Sequence, residues 1–284
     1  MRAVDRSLAT LIGALIVGII IGAAIGYAVK PSTQQPPVME TYTTTSVPQV
    51  TSQTPAMEEY TVKLAYSEKY GLYLVDANGR TLYFFAKDYN GTSACYGACA
   101  EKWPPFYVEN LNVAPGLNPD DFGVITRKDG TKQITYKGWP LYYFAGDQKP
   151  GDINGDGVKG VWFIAKPDYT VMIAVKPDLG AYLVDDKGRT LYYFAKDVNG
   201  TSTCYGTCAE KWPPFTPSSL IVPSTLNLAD FQFIVRDDGT VQLAYKGQPL
   251  YYWINDMKRG DTNGHGVKGV WFVASIEGLQ QQGG

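Results

Sequence analysis

The residues best suited to chemistry in this chain are four cysteines, Cys95, Cys99, Cys204 and Cys208, arranged as two Cys-x-x-x-Cys pairs. Residues four apart on one helical turn have Cα atoms within disulfide range. Three pairings are formally open. Both members recur together, so Cys95–Cys99 and Cys204–Cys208 are expected, in a compartment that favours oxidation. So small a loop stabilises by roughly 2 kcal/mol on the loop-entropy account. One zinc on all four thiolates is the sharper alternative and requires the two pairs to face each other. Haem attachment is disfavoured, since no Cys-x-x-Cys-His occurs.

Asp152, Asn154 and Asp156, followed by Gly157, resemble the opening half of a calcium loop, but Phe163 stands where the bidentate Glu belongs. The corresponding later series is Asp261, Asn263 and His265, which would trade an oxygen ligand for imidazole. A turn with Asx hydrogen bonds explains the same residues, so no cofactor is expected. His265 is the only histidine and has no histidine counterpart, which weakens every mechanism built on a His base or a multi-His metal. Asn90-Gly91-Thr92 and Asn199-Gly200-Thr201 are glycosylation sequons, and Asn-Gly equally suits a tight turn. The acid pairs Asp120/Asp121 and Asp185/Asp186 read as solvated turns. No phosphate loop, nucleophile elbow or His-Glu zinc motif appears. The reading is therefore non-enzymatic.

The elements that position these residues come from a tandem duplication with a period of 109. Residues 79–106 align without a gap to 188–215, with 24 of 28 positions identical. The register holds through Tyr136-Lys137-Gly138 and Tyr245-Lys246-Gly247 to the closing Gly-Val-Trp-Phe of each copy. Residues 107–119 keep only 4 of 13 identities with 216–228 and read as a surface loop. A period this long indicates whole domains. Within each copy a shorter motif, Tyr-x-aromatic-x-x-Asp, occurs twice: Tyr83/Phe85/Asp88, Tyr142/Phe144/Asp147, Tyr192/Phe194/Asp197 and Tyr251/Trp253/Asp256. On a strand, Tyr83 and Phe85 share one face while Leu82 and Phe84 take the other. Both faces are apolar, which predicts cover on both sides. Asn78-Gly79 and Lys187-Gly188 mark hairpin turns. Only the Cys segment looks helical. The fold class is all-β, two tandem β-sandwich or small-barrel domains after a single transmembrane helix.

The four Tyr-x-aromatic-x-x-Asp motifs, the Cys-Tyr-Gly-x-Cys-Ala-x-x-Trp-Pro-Pro segment and the closing Gly-x-Gly-Val-x-Gly-Val-Trp resemble the secreted-repeat family of predicted lipoproteins of unknown function, over about residues 62–275. The resemblance implies a surface-tethered protein outside the cytoplasm and brings no activity. Lipoprotein members carry a lipid-modified Cys after the signal, and none stands here.

Anchoring must then fall to residues 8–29, a run of 22 interrupted only by Thr10 and Tyr27. As a helix it is roughly 33 Å long, enough to cross the hydrocarbon layer. Arg2 and Arg6 precede it, Lys30 closes it, and the next basic residue is Lys63, which puts the N-terminus in the cytoplasm. The length favours a retained anchor over a signal peptide cut near Ala28. Gly18, Gly22 and Gly26 share one helical face, which permits homo-oligomerisation in the membrane. The expected organisation is an anchor over 1–30, a Thr/Pro/Ser-rich stalk over 31–59, β repeat domains over 60–167 and 168–276, and a flexible tail over 277–284. A net charge of −2 and a pI near 5.5 exclude an electrostatic case for nucleic acid. The leading expectation is a display or adhesion module with a cell-surface or extracellular partner. An envelope redox or metal-handling protein and a surface filament subunit are the alternatives.

Overall fold

Alternating apolar strands joined by glycine-bearing turns dominate the computed structural model of the chain, which describes residues 59–277. In the first copy a two-stranded ribbon, β1 (Val62–Ser67) with β2 (Gly71–Asp76), leads into β3 (Tyr83–Phe85) and a single helical turn, α1 (Ala98–Lys102). Then come β4 (Phe122–Thr126), β5 (Lys132–Tyr136), β6 (Trp139–Tyr142) and β7 (Trp162–Ile164). The second copy repeats the series as β8 (Val171–Lys176), β9 (Gly180–Asp185), β10 (Tyr192–Phe194), α2 (Thr207–Lys211), β11 (Phe231–Val235), β12 (Val241–Tyr245), β13 (Gln248–Tyr251) and β14 (Trp271–Val273).

Each copy builds one antiparallel five-stranded sheet, in the order β4-β5-β6-β3-β7 and β11-β12-β13-β10-β14, beside its ribbon. Among the described residues the outer strands of these sheets have no second ladder, so the sheets stay open; the two-sided cover comes from the ribbon and loops, not from a barrel. Ribbon and sheet are stitched by the Val75–Thr81 bridge and by Leu74 N–H donating to the Ala165 carbonyl at 2.8 Å. The β5–β6 turn follows the sequence closely. Lys137 (φ 47°) and Gly138 (φ 77°) are both left-handed, the two-residue geometry that matches strand twist, and they set Tyr136 against Trp139. Turn chemistry also explains Asp76 and Asp185. Each carboxylate accepts two backbone N–H groups of the turn that carries Asn78-Gly79 or Lys187-Gly188. Asp185 is 2% exposed and also accepts from Arg189 and Tyr252. The solvated turn expected at Asp185/Asp186 is thus a buried cap, because the turn needs an acceptor inside its curl.

Along β3 the predicted alternation holds. Tyr83 and Phe85 join one apolar cluster with Trp103, Tyr142 and Trp162, while Leu82 and Phe84 belong to two others on the opposite side. The copies share a core: Phe84, Trp139 and Phe163 of the first pack with Met172, Ala174, Tyr182 and Val184 of the second. Val175 N–H donates to the Ala86 carbonyl across this seam at 2.8 Å.

Among the described residues no helix is long and apolar enough to cross a membrane. The expected span over 8–29 with Gly18, Gly22 and Gly26, the stalk up to residue 58 and the tail from 278 lie outside the described residues.

Candidate functional site

The motif tyrosines and aspartates meet by exchange. In the first copy β3 and β6 run antiparallel with Tyr83 opposite Tyr142, so the two motifs face each other about an approximate two-fold axis. Tyr83 OH donates to Asp147 Oδ2 at 2.6 Å, and Tyr142 OH donates to Asp88 Oδ2 at 2.6 Å. The second copy repeats the swap, Tyr192 to Asp256 at 2.5 Å and Tyr251 to Asp197 at 2.6 Å. Each motif is therefore completed by its neighbour and cannot close alone. The free oxygens of Asp88 and Asp147 accept the N–H groups of Ala94 and Asn154, fixing the loops that follow.

Burial decides the protonation of these acids. Asp88 is 0% exposed, and its carboxyl is pushed up to about 7 by desolvation, against the pull of the Tyr142 hydroxyl, the Ala94 amide and Arg127. Asp147, Asp197 and Asp256 are raised for the same first reason. The four partner tyrosines are raised as well, chiefly by burial, so their hydroxyls remain donors.

Beneath Asp88 lies a polar chain that the sequence reading missed. Arg127, 4% exposed, donates through Nη1 to Ser93 Oγ and Gln133 Oε1, each at 2.7 Å, and through Nη2 to the Cys95 carbonyl at 2.6 Å. Arg236 does the same with Ser202, Gln242 and the Cys204 carbonyl. All these positions keep the period of 109, which was the available signal; a polar Arg-Lys-Asp-Gly turn concealed it.

The Cys95–Cys99 and Cys204–Cys208 disulfides are formed, each with Cα atoms 5.2 Å apart. They pin the turn that delivers Trp103 and Trp212. With the motif aromatics these indoles make a four-ring ladder in each copy. In the first, Phe85 stacks on Trp162 at 4.0 Å and Trp162 on Trp103 at 3.9 Å, while Phe144 lies tilted against Trp103 at 4.4 Å. In the second, Phe194, Trp271, Trp212 and Trp253 follow at 4.2, 3.8 and 4.0 Å. The inner indoles are buried and the terminal rings of the second ladder half-buried.

That second ladder floors an open groove of about 410 Å³, rimmed by Lys196, Lys211 and Lys268 and edged by Cys208. Its lining contains no carboxylate. All three lysines are exposed, and among the described residues none is in an ion pair. Lys87, Lys102 and Lys159 hold the same places in the first copy. Lys159 and Lys268 adopt φ of 54° and 52°, a left-handed conformation uncommon outside glycine.

The other sequence candidates serve turns. Asp152 accepts the N–H groups of Gln148 and Lys149, Asn154 donates to the Gly146 carbonyl, and Asp156 accepts from Ile164, so the three side chains hold separate backbone groups. Among the described residues no group of three His, Cys, Asp or Glu is placed to hold a metal. His265 Nδ1 accepts from Val273 N–H at 3.3 Å, the task Asp156 performs in the first copy. Asn90 and Asn199 are exposed at turn tips, and Asn90 Oδ1 accepts from both N–H and OH of Thr92.

Comparison with known families matches four segments, residues 65–107, 123–166, 173–216 and 232–275, to a secreted repeat of unknown function. No curated protein and no solved structure matches the chain. Each matched segment holds one Tyr-x-aromatic-x-x-Asp motif, so one period of 109 contains two repeats, and the exchanged Tyr–Asp bonds join them in pairs. On these four matches the chain belongs to the family of secreted repeats of unknown function.

Proposed function

We propose that the protein is a display and binding module outside the cytoplasm, without enzymatic activity, held at the membrane by residues 8–29 with its N-terminus inside. The observation that carries this reading is the aromatic groove with its lysine rim, whose three lysines and three of whose four ladder rings recur in the first copy, where Phe144 replaces Trp253. Its elements are built to stay still. The ladder is stacked, the preceding turn is cross-linked, and the buried acids hold tyrosine hydroxyls. A rigid aromatic surface beside unpaired charge suits recognition, because little conformational entropy is lost when a partner lands on it.

Retention of the full-length protein, in detergent, on isolated cell envelopes tests the reading. Wild type should be retained, and a Lys196→Glu/Lys211→Glu/Trp253→Ala variant should be released several-fold more readily. Equal retention of both contradicts it. One observation favours the rival redox class, namely that Cys208 lines the groove. Thiol titration of native protein separates the two readings: four oxidised cysteines in every growth condition support binding, and cycling between dithiol and disulfide supports redox work.

A further inference from the structure

We propose that the ligand of the Trp253 groove is an acidic glycan, a chain of sugar rings bearing carboxylates; this inference rests on the binding reading above. Phe194 and Trp253 end the ladder, and each has one stacked neighbour, Trp271 and Trp212 respectively. Each therefore keeps one face unused by another ring among the described residues, and both rings are half-buried. Flat apolar faces of this kind take the C–H face of a pyranose or another ring. The polar part of the lining is more selective. Neutral sugars are held by side chains that accept from hydroxyls, yet the groove lining offers no Asp, Glu, Asn or Gln. It offers Lys196, Lys211 and Lys268 instead. Lysine is a hydrated point charge, suited to scattered single anions and poorly suited to a bidentate fork. No arginine lines the groove. The rim is a local exception in a chain of net charge −2, which makes it a specific feature and not the overspill of a basic surface.

An anionic membrane would supply charge as well. A bilayer presents a flat surface, whereas these rings lie in a concave groove flanked by α2 and the 267–270 turn. An acidic polypeptide supplies charge without ring faces. Both are outcomes of the test.

Full-length protein in detergent would be titrated with polygalacturonate, a neutral galactan of similar length, polyglutamate and anionic lipid vesicles, following tryptophan emission. Polygalacturonate should bind, weaken as salt rises, and lose at least tenfold in affinity in Lys196→Glu/Lys268→Glu. Trp253→Ala should bind several-fold more weakly with the salt slope unchanged. Lys128→Glu, a charge reversal outside this groove, should bind as wild type, and native-like far-ultraviolet dichroism of every variant separates a site defect from a folding defect. Equal binding of galactan, or polyglutamate binding as tightly as polygalacturonate, overturns the acidic-sugar assignment and leaves the groove a binding site. Tightest binding to vesicles overturns it in favour of a lipid surface. No polymer or vesicle binding overturns it too, and the envelope-retention experiment then decides separately whether the module binds anything.

Discussion

At the residue scale the motif carries its Tyr and Asp for each other's sake, and this makes the fold pH-sensitive in a predictable direction. Asp88 titrates near 7 when folded, against about 4 for an unperturbed aspartate. The folded state therefore binds a proton that the unfolded chain releases. Its contribution to stability is full below about pH 4 and is lost as pH rises to about 7, at up to about 1.4 kcal/mol per pH unit. Chemical-denaturation midpoints should accordingly fall between pH 5 and 7.5 in wild type and fall less in Asp88→Asn; parallel profiles would contradict the assignment. His265, lowered by burial, acts in the opposite sense, since its neutral Nδ1 is the acceptor, and its effect is common to both proteins. Removing the hydroxyl in Tyr142→Phe leaves Asp88 and Ser93 short of a partner and should cost roughly 1–3 kcal/mol in the same measurement. His265→Asp should be nearly neutral at pH 7, because the first copy performs that task with a carboxylate.

At the element scale much was legible and some was not. The strands, the Lys-Gly turns and the short α-helical turn at each cysteine pair follow from alternation, glycine placement and spacing. So does the pairing of the cysteines. The divergent 107–119 segment shows where such reading stops. Its four retained residues, Leu111, Val113, Leu117 and Asn118, all have structural tasks: the first three pack on the core, and Asn118 caps a 3-10 turn by accepting from Asp120 N–H. A segment without regular structure can still be anchored by single side chains, and periodicity does not detect these. The exchanged hydrogen bonds and the buried Arg127 and Arg236 escaped for a related reason, since both depend on contacts between distant strands. The disulfides shape one short element, so Cys204→Ser/Cys208→Ser should lower stability by roughly 2 kcal/mol while far-ultraviolet dichroism stays native-like; loss of the β signal would contradict a local role.

At the scale of the whole molecule the two copies are joined by residues that are not interchangeable. Trp139 and Met172 meet at the seam, whereas the equivalent positions on the outer ends hold Gln248 and Lys63. More polar outer faces cap a short array, which argues against end-to-end growth of this fold into a filament. Arg259 closes the seam: it donates to the carbonyls of Lys137 and Lys187 and lies 4.1 Å from the Trp139 ring centre. Its burial lowers the guanidinium to about 10, and Pro150 stands at its place in the first copy. Calorimetry should show one unfolding transition in wild type and two in Arg259→Ala; coincident transitions in the variant would contradict the role given to Arg259.

The groove floored by the Trp253 ladder, with its lysine rim, should face the exterior of the cell. The most direct measurement treats intact cells with a membrane-impermeant amine reagent and maps the modified residues by mass spectrometry. Modification of Lys196, Lys211 and Lys268 before lysis is the predicted result. Labelling of these lysines only after the cells are broken would contradict the account.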